Sequence, residues 1–366
     1  MTPATVAAAA PASSTILADY DFVLPADCIA QEPAPARDGA RLLVLGRTNG
    51  ARQHAHVTDL PQFLRAGDLL VINDTRVIPA RLRAHLAGGT AVELLVTHEV
   101  ETDATITNLA PTTTWRCLGR PGKKLKAGVA LEVADGVAAV VTAVHTDGQI
   151  DVRFDVRNLN ELLERHGSIP LPPYIRRSGG PTTDDYVRYQ TIFAQEPGSV
   201  AAPTAGLHFT PTLIAALRRV GVDFAPLTLH VGPGTFIPVR SEDARDHRMQ
   251  PERYCLPAET AEKIAQTKRA GGRVIAVGTT TTRALEAAAA TAMPLRACSG
   301  WADLFLHPGI DFKVIDALFT NFHLPRSTLL LLVSAFAGRE SVLAAYGEAI
   351  ERGYRFYSFG DAMLIA

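Results

Sequence analysis

The stretch "RVIAVGTTTTRALEAAAA", Arg273–Ala290, decides the class of fold. Four apolar residues run to Gly278, four threonines follow, and a helix-forming Arg-Ala-Leu-Glu-Ala run comes next. That order predicts a buried strand, a tight turn and a helix. The same grammar recurs on the N-terminal side. "VDFAPLTLHVG" (Val222–Gly232) reads as a strand, and "AETAEKIAQTKRAGG" (Ala258–Gly272) reads as a helix. Thr210 is placed to cap an earlier helix, with Pro211 in its first turn and Gly221 beyond its end. Strand–helix alternation of this kind predicts an α/β domain with a largely parallel sheet.

Between about Arg83 and Val156 the texture changes. Short apolar or alternating runs such as "AVELLV", "TWRCLG", "AAVVTAV" and "QIDVRFDV" are separated by Gly, Asp and Asn. This predicts a small all-β barrel at 83–156, inserted into an α/β domain built from 18–82 and 157–366. The Ala/Pro-rich stretch 1–17 has no basic segment and no long apolar segment. It is expected to be a disordered tail and not a secretory signal.

The chain has 366 residues, with 47% hydrophobic and 20% charged, and a formal net charge of -1. No global field advertises a polyanionic partner, although local basic patches remain open. Cys28, Cys117, Cys255 and Cys298 are dispersed, with no CxxC and no zinc-type spacing, as expected of a cytoplasmic chain with reduced thiols. The apolar run "LLLLVSAFAG" is too short to span a bilayer, so no membrane partner is expected. No GxGxxG, no phosphate-binding P-loop and no GxSxG elbow occur, and no metal-ligand set has convincing spacing.

Ligands on α/β sheets bind beyond the C-terminal ends of the strands. Three strings place a histidine among turn-forming residues: "VAAPTAGLHF" with His208, "LHVGPGTF" with His230, and "TNFHLPRSTL" with Asn321, His323 and Arg326. Gly278 and the threonines after it could hold an anion at a helix start. Taken alone, that string reads first as a well-capped helix with Arg283 and Glu286 paired on one face. His230 is equally a hydrogen-bonded strand-end residue. Arg76, Arg81, Lys123, Lys124 and Arg176 form local basic clusters, read either as phosphate contacts or as solvated turns.

Together the strings resemble a known family from about Asp19 to the end. "DLLVINDTRVIPARL", "PLPPYI", "VAAPTAGLHF", "TLHVGPGTF", "VIAVGTTTTRALE", "TNFHLPRSTLLLLVSAFAG" and "YRFYSFGDAMLI" resemble those of the S-adenosylmethionine:tRNA ribosyltransferase-isomerases. Gln250 in "HRMQPE" stands where that family usually has a second histidine. The resemblance implies transfer and isomerisation of the ribosyl part of S-adenosylmethionine onto 7-aminomethyl-7-deazaguanine. That base sits at the wobble position of a tRNA with a GUN anticodon. The implied product is epoxyqueuosine-tRNA, with adenine and methionine released. S-adenosylmethionine would be a co-substrate, with no bound cofactor or metal, and the enzyme a monomer. The expected reaction centre is His208, His230 and His323, with His208 the first choice for the base. Thr204, Gly206, Gly232, Gly234 and Thr235 would shape the adenosylmethionine pocket. Thr279, Thr280 and Arg283 would hold the methionine carboxylate or a tRNA phosphate, and Asn321 would also bind substrate. Arg76, Arg81, Lys123, Lys124, Arg176 and Arg326 are the expected tRNA contacts. The competing readings are a non-catalytic tRNA-binding module and an ordinary S-adenosylmethionine methyltransferase. The latter would need a Gly-rich loop after a first strand, which the chain does not offer.

Overall fold

The computed structural model describes residues 14–100, 112–236, 239 and 241–366. The first thirteen residues of the expected tail lie outside these. The rest of that stretch is ordered: Ile16 forms a bridge with Asp243, and Leu17 is buried. In chain order the chain first forms β1 (Arg41–Leu45), β2 (Arg52–His56), β3 (Leu69–Asn73) and β4 (Thr75–Val77). The barrel strands follow: β5 (Arg81–Leu86), β6 (Ala91–Glu99), β7 (Thr113–Arg120), β8 (Ala130–Glu132), β9 (Ala138–Val144) and β10 (Gln149–Phe154). Next come α1 (Leu159–His166), α2 (Thr183–Arg188), β11 (Glu196–Ser199), α3 (Pro211–Arg219) and β12 (Asp223–Leu229). Then β13 (Glu252–Leu256), α4 (Ala258–Arg269), β14 (Val274–Val277), α5 (Thr279–Thr291) and β15 (Cys298–Ala302). The chain closes with β16 (Ala317–Asn321), α6 (Thr328–Ala337), α7 (Arg339–Glu351) and β17 (Ala362–Ile365).

Among the described residues, nine strands form one sheet in the order β15-β13-β12-β3-β14-β16-β17-β1-β2. Its centre, β12-β3-β14-β16, is parallel throughout. The flanks mix directions: β13 runs antiparallel to β12 and to β15, β17 antiparallel to β16 but parallel to β1, and β2 antiparallel to β1. The sheet is therefore mixed around a parallel centre, within the expected α/β architecture with an inserted barrel. Parallel neighbours need a crossover, which α4 and other segments supply, whereas β1 and β2 are joined by a short turn that forces reversal.

Alternation along each strand divides the core into two layers. Leu69 and Val71 of β3 point into a cluster with residues of α4, α5, α6 and α7. Leu70 and Ile72 point the other way, onto Phe209, Leu213 and Leu217 beside α3. Helix α3 starts as its sequence predicts: the Thr210 side chain accepts from the Leu213 N–H, and Pro211 is its first residue. The apolar run after Ser327 is helix α6, buried almost throughout. Among the described residues no single helix is long and apolar enough to cross a membrane.

The inserted segment is a closed six-stranded barrel, β10-β7-β6-β5-β8-β9, with its own core of Leu82, Leu94, Val96, Val141, Val152 and Phe154. The chain enters it at Arg81 and leaves it at Phe154. Leu159, Leu162 and Leu163 of α1 and Val200 pack into the same core, which fastens the barrel to the α/β domain.

Candidate active site

A cavity of about 300 Å³ opens at the C-terminal ends of β14 and β16. Its wall draws on six separate segments. The turn 201–205 supplies Thr204, the start of α5 supplies Gly278, Thr279 and Thr280, and the end of β16 supplies Thr320 and Asn321. The loop into α6 supplies His323 and Arg326, and Tyr174, Tyr357 and Ser358 close the far side. Val231, just after β12, completes it. The strand ends of the parallel centre therefore position the site, as the sheet rule requires.

Gly278 lets the chain turn from β14 into α5. Its φ is 96°, a conformation that side chains with a Cβ rarely adopt. Thr281 and Thr282 spend their hydroxyls on the carbonyls of Val277 and Gly278, one turn back. Thr280 does not: its buried Oγ1 has no partner, and it lies on the cavity wall. The first N–H groups of a helix are also unpaired and carry the positive end of its dipole. This corner can hold an anionic oxygen.

Asn321 is the hub of the opposite corner. Its Oδ1 accepts from Thr204 Oγ1 at 2.9 Å, and its Nδ2 faces His208 Nε2 at 3.1 Å and the Tyr357 carbonyl at 3.2 Å. An amide nitrogen only donates, so His208 Nε2 is an acceptor. His208 is buried and stands one layer behind the wall, beside Arg37 and Phe359. Burial lowers its pKa to about 4. The first-choice base of the sequence reading thus has its accepting nitrogen occupied by a protein amide. His323 does reach the cavity. Its Nε2 lies 3.0 Å from Thr320 Oγ1, its backbone N–H donates to Tyr346 Oη, and burial lowers its pKa to about 3. It is neutral throughout the physiological range.

Two non-glycine residues in the described chain have positive φ: Arg326 at 55° and Tyr357 at 73°. Both lie on this cavity. Such strain persists only where surrounding bonds enforce it. The Arg326 N–H donates to the Tyr20 carbonyl, and its Nε lies 2.9 Å from Asp21 Oδ2. The Tyr357 N–H donates to the Phe322 carbonyl. The Tyr357 ring lies 4.0 Å from that of Tyr174, whose hydroxyl bonds Ser358 Oγ. Tyr174, Tyr357 and Ser358 lie in "PLPPYI" and "YRFYSFGDAMLI", strings that carry the family resemblance without marking these three as site residues. A tyrosine in a proline-rich loop carries no local mark of a partner 184 residues away.

Other expected residues fall elsewhere. His230 Nδ1 lies 2.8 Å from Thr75 Oγ1, with its ring over Gly198, and burial lowers its pKa to about 4. It borders the cavity only through its neighbour Val231. Arg283 lies buried behind α5, where it pairs with Glu252 and donates to the Ala302 carbonyl. The Arg283–Glu286 pair does not form, because Glu286 instead accepts the N–H groups of Lys313, Val314 and Ile315. The Gly232 N–H donates to Glu252 Oε1, Gly234 packs on Gln250, and Gly206 packs on Thr191. None of these three glycines lines the cavity. The Thr235 side chain lies outside the described residues.

Of the basic residues, Arg326 is on the wall and exposed Arg176 follows Tyr174 by two positions. Arg76 pairs with Glu164 at 3.0 Å, and Arg81 lies 3.7 Å from Glu93. Lys123 and Lys124 follow β7, at the end of the barrel away from the chain's entry and exit. No group of three or more candidate metal ligands occurs among the described residues.

Comparison with known proteins extends the geometry to the whole chain. The pattern of a family described as "Queuosine biosynthesis protein" matches residues 17–365. The S-adenosylmethionine:tRNA ribosyltransferase-isomerase of Geotalea uraniireducens is 50% identical over 350 residues, covering 95% of this chain and 99% of the relative. The protein of the same name from Rhodospirillum rubrum is 50% identical over 349 residues, covering 95% and 97%. The crystal structure of an S-adenosylmethionine tRNA ribosyltransferase from Thermotoga maritima matches with a TM-score of 0.54 and 38% identity. It covers 95% of this chain and all of that one. On that near full-length agreement, the chain belongs to the queuosine biosynthesis protein family.

Proposed function

We infer that this chain transfers and isomerises the ribosyl moiety of S-adenosylmethionine onto 7-aminomethyl-7-deazaguanine in tRNA. The product is epoxyqueuosine-tRNA, and adenine and methionine leave. The observation that carries this reading is the half-identity to the ribosyltransferase-isomerases over nearly the whole chain. We further propose the wobble position of a GUN anticodon as the target, and a cytoplasmic monomer that uses S-adenosylmethionine as co-substrate without a bound cofactor.

The cavity fits a small cation that carries a carboxylate. The start of α5 offers free N–H groups and the unpartnered Thr280 hydroxyl for the methionine carboxylate. Tyr174 and Tyr357 offer ring faces for the adenine or for the sulfonium charge. Buried histidines held neutral add no repulsion to that charge, and Asp21 offsets Arg326 at the rim.

A sulfonium acidifies the protons on the adjoining C5′, so a base beside it can begin the reaction. His323 is that base in our reading, because it touches the cavity and is unprotonated. His208 is a positioning residue that orients Asn321, and through it Thr204 and the Tyr357 carbonyl. The aminomethyl nitrogen attacks as the free amine. Adenine departs with a proton, which a neutral donor on the wall can supply.

The test is a chromatographic product assay with S-adenosylmethionine and tRNA carrying 7-aminomethyl-7-deazaguanine. Release of adenine and methionine together, dependent on that tRNA, is the expected result. S-adenosylhomocysteine would mean methyl transfer instead. Tight tRNA binding without turnover would leave only a binding module.

A further inference from the structure

The chain has two tryptophans, and they are treated differently. Trp115 is inside the barrel, 8% exposed, with its Nε1–H donating to Thr113 Oγ1. Trp301 is 49% exposed on β15, the edge strand of the large sheet. An indole in solvent wastes a large apolar surface unless something covers it. Gly300 and Ser299, which precede it on the strand, are small and offer the indole no cover.

Its true neighbours are polar and come from both domains. The barrel brings His98 of β6 against the indole, with ring centroids 5.1 Å apart at 66°. Directly across the ladder from Trp301 stands Arg253 of β13. Arg253 is exposed and makes no ion pair among the described residues. The other nearby guanidinium, Arg116, is paired with Asp151. Burial, with Arg116 and Arg253 close by, lowers the His98 pKa, which keeps its ring uncharged. The result is a ring step across the domain junction with one unpaired cation beside it.

A backbone path links this step to the cavity wall. The His230 N–H donates to the Arg253 carbonyl at 2.9 Å, and the next residue, Val231, lines the cavity wall. Unpaired bases are held on aromatic faces, with guanidinium groups on the adjoining phosphates, whereas a duplex hides its base faces. We propose that Trp301, His98 and Arg253 form a platform on which an unpaired nucleotide of the RNA substrate stacks, with Arg253 on its phosphate. The proposal rests on the reading that the substrate is a tRNA. It adds where that tRNA is gripped, and it gives the barrel a share in the grip.

In a Trp115→Phe background, Trp301 is the only fluorophore of its kind. Titration with an anticodon stem-loop RNA should quench it saturably. Trp301→Ala, at an exposed position, should raise the KM for tRNA about tenfold or more. The KM for S-adenosylmethionine and kcat at saturating tRNA should stay within about twofold, and Trp301→Phe should restore most of the loss. Arg253→Gln should lower the salt dependence of tRNA affinity by about one counterion. No quenching at saturating RNA, or an unchanged KM in Trp301→Ala, would overturn the platform. So would a dimer in sedimentation that Trp301→Ala abolishes, since a second copy would then own the surface. If the parent enzyme released no adenine and methionine, the reaction assignment would fall, and the quenching would still decide whether RNA lies on Trp301.

Discussion

At the scale of the residue, burial sets the chemistry of the histidines. His208 and His323 have pKa values lowered from 6.5 to about 4 and about 3. Between those values and 6.5 the unfolded chain binds a proton that the folded chain refuses. Stability is therefore fully present above about pH 6.5 and is lost as pH falls toward 4. Each residue should remove about 2 kcal/mol between pH 7.5 and pH 5. Urea unfolding at the two pH values should show this loss, and His208→Gln should lose about 2 kcal/mol less between them. An equal loss in the variant would refute the buried, neutral assignment. Asn321→Ala should act at the same site without a charge. It strands the Thr204 hydroxyl and the Tyr357 carbonyl, and should cost about 1–3 kcal/mol in the same assay. The histidine strings were legible in the sequence because they sit among turn residues. Which histidine faces the cavity was not, because the order of His208, Asn321 and the cavity is set by contact across 113 residues.

At the scale of the element, α5 shows what local sequence can and cannot decide. Its strand–glycine–helix entry follows from Gly278 and the threonines alone, and the structure agrees. Its far face does not follow. Arg283 leaves Glu286, one turn on, for Glu252 on β13, a tertiary partner that no helical spacing reveals. The near face carries the next prediction. Thr280→Val keeps the shape and removes a buried hydroxyl that has no protein partner. It should raise the KM for S-adenosylmethionine about tenfold, the worth of one hydrogen bond to a charged group. The KM for tRNA should not move. Steady-state kinetics with each substrate varied in turn separates the two, and an unchanged KM for S-adenosylmethionine would remove the helix start from the site.

At the scale of the whole molecule, the two-domain plan was legible because a barrel and an α/β sheet have different hydrophobic periods. The direction of the flanking strands was not legible, since β13 and β17 take theirs from where their connections return, and apolar runs do not encode that. Charge belongs to this scale too. Thirty-six basic and 37 acidic residues nearly cancel, so a tRNA meets no strong long-range field. Arg76 and Arg326 are each paired with a carboxylate, and so begin neutralised. Lys123 and Lys124 are exposed at the outer end of the barrel, and neither makes an ion pair among the described residues. If the barrel is an arm that lies along the tRNA, these two lysines release counterions when it binds. The double variant Lys123→Glu, Lys124→Glu should then flatten the plot of log affinity against log salt by about 2. The KM for S-adenosylmethionine should be unchanged, since the cavity lies beyond the opposite end of the barrel. An unaltered salt slope would confine the tRNA to the domain junction and the cavity mouth, and leave the outer barrel outside the interface.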